Sequence, residues 1–241
     1  MKPMVLVLGA GSGLGRALVR FFLSRNISVS CLTRSKESLT SLMDESADFK
    51  SLLSATAAFD YCDRILSEEF VRRLVSGKES TDFPGLAIYC AGYLSGRRSL
   101  LETPVEDADR EIDVNFHAPL YWSTILSRHF LERGVGGHLF ISSGVASTLR
   151  SSWGAYGIAK AGVEALSTQL SLDLPAPLFS LSLNPGGMIT RMRQIAYPEE
   201  KRDTLPAPET IGDKIGRFCM ERLLGGGRAY NGRRLTVGDI A

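Results

Sequence analysis

Short apolar runs recur along the 241-residue chain, and amphipathic segments separate them. Continuous apolar runs of this length are typical of strands buried on both faces of a sheet, whereas the intervening segments repeat with a helical period. The pattern predicts strands at 4–8, 27–32, 52–59, 86–91, 138–142, 178–183 and 234–237. It predicts helices at 14–25, 36–47, 63–76, from 105 towards 129, at 153–172 and at 208–224. This alternation predicts an α/β fold with a parallel sheet covered by helices on both faces.

Several helix ends carry recognisable signals. Ser35 stands where it can cap the amino terminus of the second helix. Thr103 and Glu106 form a capping-box pattern, with Pro104 at the first helical position. Pro175 ends the helix that begins near residue 153.

Composition and charge narrow the class of protein. The net charge of +2 is too small to indicate a nucleic-acid or membrane-surface partner. The four cysteines show no paired spacing and the three histidines no ligand spacing, so we expect neither disulfides nor a metal, and a reducing, cytoplasmic location. No apolar stretch approaches the ~20 residues of a membrane span. No linker or internal repeat appears, so we expect one domain over residues 1–241.

A cluster of glycines follows the first predicted strand. Gly9, Gly13 and Gly15 have the spacing G-x-x-x-G-x-G, and the predicted helix begins at Leu14 within that cluster. A glycine turn between a strand and a helix brings backbone N–H groups and the positive end of the helix dipole up to a pyrophosphate. The alternative is a tight turn such as any α/β protein contains. The position after the first strand favours a dinucleotide site.

A second group of polar residues lies in the later half of the chain. Tyr156 and Lys160 are four residues apart on a predicted helix, so their side chains share one face. Ser143 follows the fifth predicted strand, and Asn115 lies in the long helix before it. A tyrosine–lysine pair alone is usually an exposed surface contact. Its combination with the glycine turn makes it specific.

These motifs occur together with others in a characteristic order. Further matching residues are Ala91-Gly92, Val114-Asn115, Ser142-Ser143, Asn184-Pro185-Gly186 and Thr190. With them, the chain resembles the short-chain dehydrogenase/reductase family, in its compact single-domain form, over its whole length. The resemblance implies a Rossmann-like, doubly wound sheet. It also implies a division in which residues 1–110 mainly bind the cofactor and residues 111–241 mainly serve catalysis and substrate binding.

The resemblance implies hydride transfer between a nicotinamide and a carbonyl or alcohol carbon. Tyr156 would supply the proton, Ser143 would orient the carbonyl oxygen, and Asn115 would hold a water that links Lys160 to solvent. A free phenol has a pKa of about 10, and bringing it near 7 requires about 4 kcal/mol of preferential stabilisation of the phenolate. Lys160, one helical turn away, is expected to provide much of this and to hold the nicotinamide ribose.

The same resemblance assigns the cofactor contacts. NAD-selective members carry an acidic residue at the end of the second strand, where this chain has Thr33 followed by Arg34. A guanidinium there suits the 2′-phosphate of NADP, so we expect NADP rather than NAD. Asp60 would contact adenine, Pro185 and Gly186 would shape the loop against the nicotinamide, and Thr190 would bond its carboxamide. The expected cofactor-binding set is completed by Gly9, Gly13, Leu14, Gly15, Ala91, Gly92, Tyr156 and Lys160.

Two residues depart from the family pattern. Leu8 and Tyr89 replace a threonine and an asparagine that tie neighbouring strands together in the family. Because both polar partners are absent, no buried polar group is left without a partner. We therefore expect an apolar contact in place of the polar tie.

The substrate is expected to be a small carbonyl or alcohol compound. Its cleft would be lined by Ser143, Trp153, Tyr93, Gly187 and the segment 191–206. Two alternatives remain: a regulator that binds NADP without turnover, and an epimerase or dehydratase, which usually needs a larger substrate domain. A homo-oligomer, tetramer or dimer, is expected through the helices 105–131 and 153–172, where Ala155, Ala159 and Gly162 would permit close contact.

Overall fold

The fold was analysed in a computed structural model that describes residues 4–75 and 84–240. Seven strands pair in parallel in the order β3-β2-β1-β4-β5-β6-β7. The strands are β1 (Met4–Leu8), β2 (Ser28–Thr33), β3 (Leu53–Ala58), β4 (Leu86–Tyr89), β5 (Gly137–Ile141), β6 (Phe179–Asn184) and β7 (Arg234–Thr236). The predicted parallel sheet is confirmed, with strand ends within about two residues of the expected positions.

The helices follow the strands in alternation. They are α1 (Gly13–Ser24), α2 (Lys36–Glu45), α3 (Arg64–Val75), α4 (Val105–Ile112), α5 (Ala118–Arg133), α6 (Gly144–Ser147), α7 (Gly154–Asp173), α8 (Arg191–Ala196) and α9 (Pro208–Phe218). The long helix expected from residue 105 is divided by a π-helical turn at Asp113–His117, and a second π-helical turn, Cys219–Leu223, follows α9. Ser76, the last residue of the predicted third helix, lies outside the described residues.

Helices cover both faces of the sheet because alternate residues of a strand point to opposite sides. Val5 and Val7 of β1 pack into one hydrophobic cluster, with α1 and α9, and Leu6 and Leu8 pack into another, with α5 and α7. None of these four side chains is exposed to solvent. Each fully buried aliphatic side chain of this size stabilises the fold by roughly 1.5–3 kcal/mol, which explains why a strand of five consecutive apolar residues forms here.

The expected capping box is wrong. Helix α4 begins at Val105, with Pro104 in the capping position and no side-chain cap. The Thr103 hydroxyl instead donates to the Ser99 carbonyl at 2.8 Å. This local hydrogen bond to the backbone competes with capping of the helix. At α2 the prediction is confirmed, since the Ser35 hydroxyl accepts a hydrogen bond from the Ser38 amide at 3.3 Å.

Tyr89 makes a polar contact as well as an apolar one, so the expectation of a purely apolar replacement is wrong. Its hydroxyl lies 2.8 Å from His138 Nδ1, and His138 Nε2 lies 3.0 Å from the Ser127 hydroxyl. The Tyr89 ring also stacks on Phe140, at 4.3 Å between centroids. Because β4 and β5 are neighbours, the tyrosine side chain reaches along its partner strand to the histidine. Leu8 is buried in the same apolar cluster, as expected.

The small residues of α7 pack within the subunit. Ala155 and Ala159 are buried, and a Cβ added at Gly162 would lie 2.9 Å from the Phe116 ring. These residues bring α7 close to the π-helical turn of its own chain, so they do not form the outward contact that the sequence suggested. The apolar side chains that α7 exposes are Ile158 and Leu172. Over the ranges 4–75 and 84–240, no helix has both the length and the apolar character needed to cross a bilayer.

Candidate active site

The glycine turn lies at the carboxyl end of β1, beside the end of β4. Gly9 has a φ of +93°, and a Cβ there would lie 2.4 Å from the Ala91 amide nitrogen. A Cβ at Gly15 would lie 2.2 Å from the Gly9 carbonyl oxygen. Both glycines therefore let the chain pack against itself, so that α1 begins directly above the end of the sheet. Leu14 is buried, which leaves only its backbone available to a ligand.

The first turn of α1 faces the opposite wall of a cleft. A Cβ at Gly13, where φ is +54°, would lie 3.3 Å from Thr190 Cγ2. Ser12 stands before the helix but its side chain makes no capping hydrogen bond. The N–H groups at this helix end are therefore not capped by a side chain, and the helix dipole makes such a position favourable for a phosphate.

The end of β2 presents Arg34 and buries Thr33. The Thr33 side chain is only 1% exposed and its hydroxyl donates to the Ser35 carbonyl at 2.9 Å. The Thr33 hydroxyl is therefore not available to a cofactor. This differs from the expectation that Thr33 binds the cofactor. Arg34 is exposed and makes no hydrogen bond or ion pair with any residue that the structure describes.

Asp60 follows β3 and is tied to its surroundings. Its carboxylate accepts hydrogen bonds from the Cys62 amide at 2.9 Å and from Arg110 of α4 at 2.7 Å. Partial burial acts to raise the pKa of Asp60, but the bonds from Cys62 and Arg110 outweigh it and lower the pKa below its ordinary value. The carboxylate is therefore ionised and already carries a partner at the expected adenine end of the cleft.

Asn115 lies in the π-helical turn and holds the loop after β4. Its Oδ1 accepts from the Tyr93 amide at 3.2 Å, and its Nδ2 donates to the Tyr93 carbonyl at 2.7 Å and to the Glu111 carbonyl at 2.8 Å. The side chain is fully buried. Both amide hydrogens are used, so the expected link from Asn115 to Lys160 does not run through Nδ2. A Cβ at Gly92 would lie 3.3 Å from Asn115 Oδ1, so this close approach favours glycine.

Ser143, Tyr156 and Lys160 come together at the carboxyl end of β5. Ser143 caps the short helix α6, and Tyr156 and Lys160 lie on the first two turns of α7. Lys160 Nζ donates to the Ile141 carbonyl at 3.0 Å and lies 5.9 Å from the centre of the Tyr156 ring. Tyr156 and Lys160 are 6% and 5% exposed. The spacing of four residues on a helix, predicted to put both side chains on one face, is confirmed.

Burial is the main cause of the pKa shifts of Tyr156 and Lys160. It raises the pKa of Tyr156 to about 12, against a hydrogen bond from Ser143 that lowers it, and the charge of Glu111 raises it further. Burial lowers the pKa of Lys160 to about 8. The expected lowering of the Tyr156 pKa does not appear in this arrangement, because the phenol is buried and Lys160 is bonded to a backbone carbonyl.

The loop after β6 and helix α8 form the facing wall. Gly186 has a φ of +75°, with Pro185 before it, and its amide donates to Asn184 Oδ1 at 3.0 Å. The Thr190 hydroxyl caps α8 by accepting from the Arg193 amide at 3.1 Å. A Cβ at Gly187 would lie 3.4 Å from the Leu205 side chain, so the 191–206 segment folds over this loop.

Trp153, at the start of α7, lies 5.6 Å from Tyr156 between ring centres. The structure adds Arg97, which no sequence pattern assigned to the site and which lies against the Trp153 and Tyr197 rings. The residues Met192, Arg193, Tyr197 and Glu200 belong to the segment 191–206 that was expected to line the cleft. None of them was singled out in advance, because none belongs to a periodic pattern. Among residues 4–75 and 84–240, no three His, Cys, Asp or Glu side chains cluster as metal ligands would.

The chain is similar in sequence and in fold to known proteins. The family model for short chain dehydrogenases matches residues 3–201. A benzil reductase ((S)-benzoin forming) of Bacillus subtilis is 25% identical over 83% of this chain and 80% of its own length. Carbonyl reductase [NADPH] 2 of Sus scrofa is 28% identical over 78% of this chain and 72% of its own. A Shigella flexneri short chain dehydrogenase structure, complexed with NADP, superposes with a TM-score of 0.88 at 23% identity, covering 98% of this chain and 97% of that one.

The family model covers most of the chain, and residues 3–201 include the glycine turn at the end of β1 as well as Ser143, Tyr156 and Lys160. The fold is accordingly Rossmann-like, with helices on both faces of a doubly wound sheet. The chain belongs to the short-chain dehydrogenase/reductase family of oxidoreductases.

Proposed function

We propose that the protein transfers hydride between NADP(H) and a small carbonyl or alcohol substrate, with Tyr156 as the proton donor and acceptor. The observation that carries this proposal is the convergence of Tyr156, Ser143 and Lys160 beside the glycine turn, at the carboxyl edge of a parallel sheet. Ligands bind at this edge in open α/β sheets. Membership of an oxidoreductase family supports the same reaction.

The residues of the cleft fit a nicotinamide dinucleotide. The uncapped amide groups at the start of α1 suit a pyrophosphate, and Gly13 keeps that helix end free of a side chain. A Cβ at Gly186 would meet no atom within 4 Å, so the loop that would lie against the nicotinamide borders open space. The Thr190 hydroxyl accepts one hydrogen bond from Arg193 and keeps its own hydrogen for a carboxamide oxygen. When bound, NADPH supplies the hydride.

Tyr156 is suited to give a proton to a carbonyl oxygen. Its raised pKa of about 12 keeps the phenol protonated at neutral pH, so that it is ready to donate. Ser143, whose hydroxyl acts to lower the pKa of the phenol, can hold the same carbonyl oxygen and orient it. When the proton leaves, the phenolate that remains is stabilised by a nearby positive charge.

Lys160 is suited to provide that charge. Its pKa of about 8 leaves the ammonium group charged at neutral pH. One of its three hydrogens is donated to the Ile141 carbonyl, which leaves two for the ribose hydroxyls of a bound cofactor. Asn115 then acts as a positioning residue, because it fixes the Tyr93 loop and α4 around the cleft without touching the phenol.

NADP is favoured over NAD by the end of β2. Arg34 has no ion-pair partner among residues 4–75 and 84–240 and would meet a 2′-phosphate, and neither Thr33 nor Ser35 offers a carboxylate that would repel it. The NADPH named for the Sus scrofa relative and the NADP bound in the Shigella flexneri structure agree with this choice.

A carbonyl and alcohol panel tests the proposal. Ketones and aldehydes with NADPH or NADH, and alcohols with the oxidised forms, are followed by the absorbance of reduced nicotinamide. We expect turnover with NADPH in preference to NADH. Binding of NADPH, seen by its fluorescence, without turnover of any compound would favour the NADP-binding regulator instead.

A further inference from the structure

A guanidinium group lies against two aromatic rings near Tyr156. The Arg97 Cζ atom lies 4.5 Å from the centre of the Tyr197 ring and 5.4 Å from the centre of the Trp153 ring. The two rings lie 6.1 Å apart, and Trp153 is also 5.6 Å from Tyr156. Arg97 follows β4 in the chain, whereas Tyr197 follows α8, so the contact joins two separate segments at the cleft.

The N–H donors of Arg97 have no partner in the described part of the chain. All five N–H donors of an arginine lie in the guanidinium plane, where they can bind a carboxylate through two parallel hydrogen bonds. Arg97 is exposed, and it makes no hydrogen bond or ion pair with the residues of 4–75 and 84–240. The contacts with the two rings therefore hold the cation at the cleft without using these donors.

Two neighbouring arginines are paired with carboxylates, unlike Arg97. Arg98 pairs with Asp107 at 3.0 Å, and Arg193, whose Cζ lies 3.9 Å from the Tyr197 ring centre, binds Glu200 through two hydrogen bonds. The positive charge left beside the cleft by this cluster is that of Arg97. A cation fixed by aromatic rings and without a protein anion is suited to an anion from outside the chain.

We propose that Arg97 binds the carboxylate of the substrate and that the substrates are small oxo acids, reduced to hydroxy acids. The inference rests on the proposed function, because the carbonyl group of the same molecule must reach Tyr156 and Ser143. Hydride adds to the carbonyl carbon, the Tyr156 proton goes to the carbonyl oxygen, and the carboxylate is unchanged. The Trp153 ring lies against both Arg97 and Tyr156, so it would contact the carbons that connect the carboxylate to the carbonyl group.

Matched pairs of acid and ester test the proposal. The probes are 3-oxobutanoate, 4-oxopentanoate and 5-oxohexanoate, each compared with its methyl ester, which keeps the carbonyl and the carbon chain but lacks the charge. Binding to the protein saturated with NADP⁺ is followed by tryptophan fluorescence, since Trp153 lies beside the proposed site. Turnover with NADPH is measured separately, so that binding and reaction are read independently.

We expect at least one acid to bind more tightly than its ester and to show the higher kcat/KM. Arg97→Gln should weaken that acid roughly ten- to a hundred-fold, the range of a charge-assisted contact, and leave the ester within about twofold. Arg97→Lys, which keeps the charge but not the planar fork, should give an intermediate loss. Arg98→Gln is the matched control and should leave both ligands unchanged.

The outcomes separate this inference from the proposed function. Acid-selective binding lost in Arg97→Gln, without turnover of any probe, supports the carboxylate site and contradicts the proposed reaction. Turnover of acids and esters with equal kcat/KM, together with equal binding, overturns the inference and leaves the reaction standing. An equal loss of acid and ester in Arg97→Gln also overturns it, because Arg97 would then only hold the α8 segment. Thermal melting of each variant checks that it is folded.

Discussion

The Tyr156 hydroxyl donates a hydrogen bond to the sulfur of Met192, at 3.8 Å. Met192 belongs to α8, and its methyl group also approaches the loop after β4, where a Cβ at Gly92 would lie 3.0 Å from it. A carbonyl oxygen that accepts the Tyr156 proton must replace this sulfur as the acceptor. The Met192 side chain therefore has to give up this contact when substrate binds, and the Arg97–Tyr197 contact joins the segment after α8 to the loop after β4.

Tyr156→Phe should abolish turnover and leave NADPH affinity nearly intact. The substitution removes the proton donor and keeps the ring that packs beside Trp153. Steady-state kinetics and NADPH fluorescence titration measure the two effects. Ser143→Ala should reduce kcat less, because the donor remains. Retention of more than a few per cent of the wild-type kcat in Tyr156→Phe would mean that another group supplies the proton.

Arg34→Ala should weaken NADPH binding and leave NADH binding nearly unchanged, since only NADPH carries the 2′-phosphate. The expected loss is about 1.5–3 kcal/mol, or roughly ten- to a hundred-fold in Kd. Added salt should weaken wild-type NADPH binding more than NADH binding, because an exposed ion pair is screened. Arg20→Ala, at an exposed position of α1, is the control. Equal changes in the two dissociation constants would remove the main support for NADP.

Replacing His138 should change how stability depends on pH. Burial lowers its pKa from 6.5 to about 3, so between these values the unfolded chain binds a proton that the native protein does not. This part of the stability is present above about pH 6.5 and is lost as the pH falls towards 3, at about 1.4 kcal/mol per pH unit. In His138→Gln this pH-dependent part of the free energy of unfolding should be absent. Urea unfolding should therefore show that the wild type loses stability faster than the variant between about pH 7 and pH 5.

Tyr89→Phe separates this effect from packing. The variant loses the hydroxyl bonded to His138 but keeps the buried imidazole. It should be less stable than wild type at neutral pH by about 1–3 kcal/mol, because His138 Nδ1 loses its partner. Its pH dependence should still resemble that of wild type. If His138→Gln keeps the wild-type slope, the linkage assigned to His138 is wrong.

A homo-oligomer, tetramer or dimer, remains a prediction, and the structure changes the residues that test it. Ile158 and Leu172, 48% and 75% exposed on α7, point away from the subunit and can be covered by another copy. Light scattering should report more than one chain per particle at micromolar concentration, and Ile158→Glu with Leu172→Glu should reduce that number. Gln169→Glu, an exposed change on the same helix, is the control. A monomeric wild-type protein would contradict the prediction.

The strands could be predicted because their signal is local. Every side chain of β1 must be apolar to fit between two helical layers, and that requirement is visible in five consecutive residues. The spacing of Tyr156 and Lys160 likewise needs only a helix to bring them together. The placement of Ser143 beside them depends on β5 ending next to α7, which the family resemblance supplied and the spacing alone could not.

Features that depend on distant contacts could not be predicted. Helix α8 is six residues long, too short to be stable alone, and it is held by Thr190 at its start and by packing over Tyr156. The bond between Tyr89 and His138 joins residues 49 positions apart, on neighbouring strands. The Thr33 hydroxyl is used in a local turn, where it donates to the Ser35 carbonyl. The absence of an acidic residue at position 33 gives no sign of this bond.

The π-helical turn at Asp113–His117 gives one continuous helix two orientations. A π turn contains one residue more than a regular turn, and one residue corresponds to a rotation of about 100°. Arg110, before the turn, therefore reaches Asp60 at the cofactor edge, while Trp122, after it, is fully buried against the sheet. A one-residue deletion within the turn would restore regular helical hydrogen bonds, yet it would rotate one of these faces out of register with its contacts. The extra residue of the π-helical turn thus sets the rotation of α4, which faces the cleft, relative to α5, which packs into the hydrophobic core.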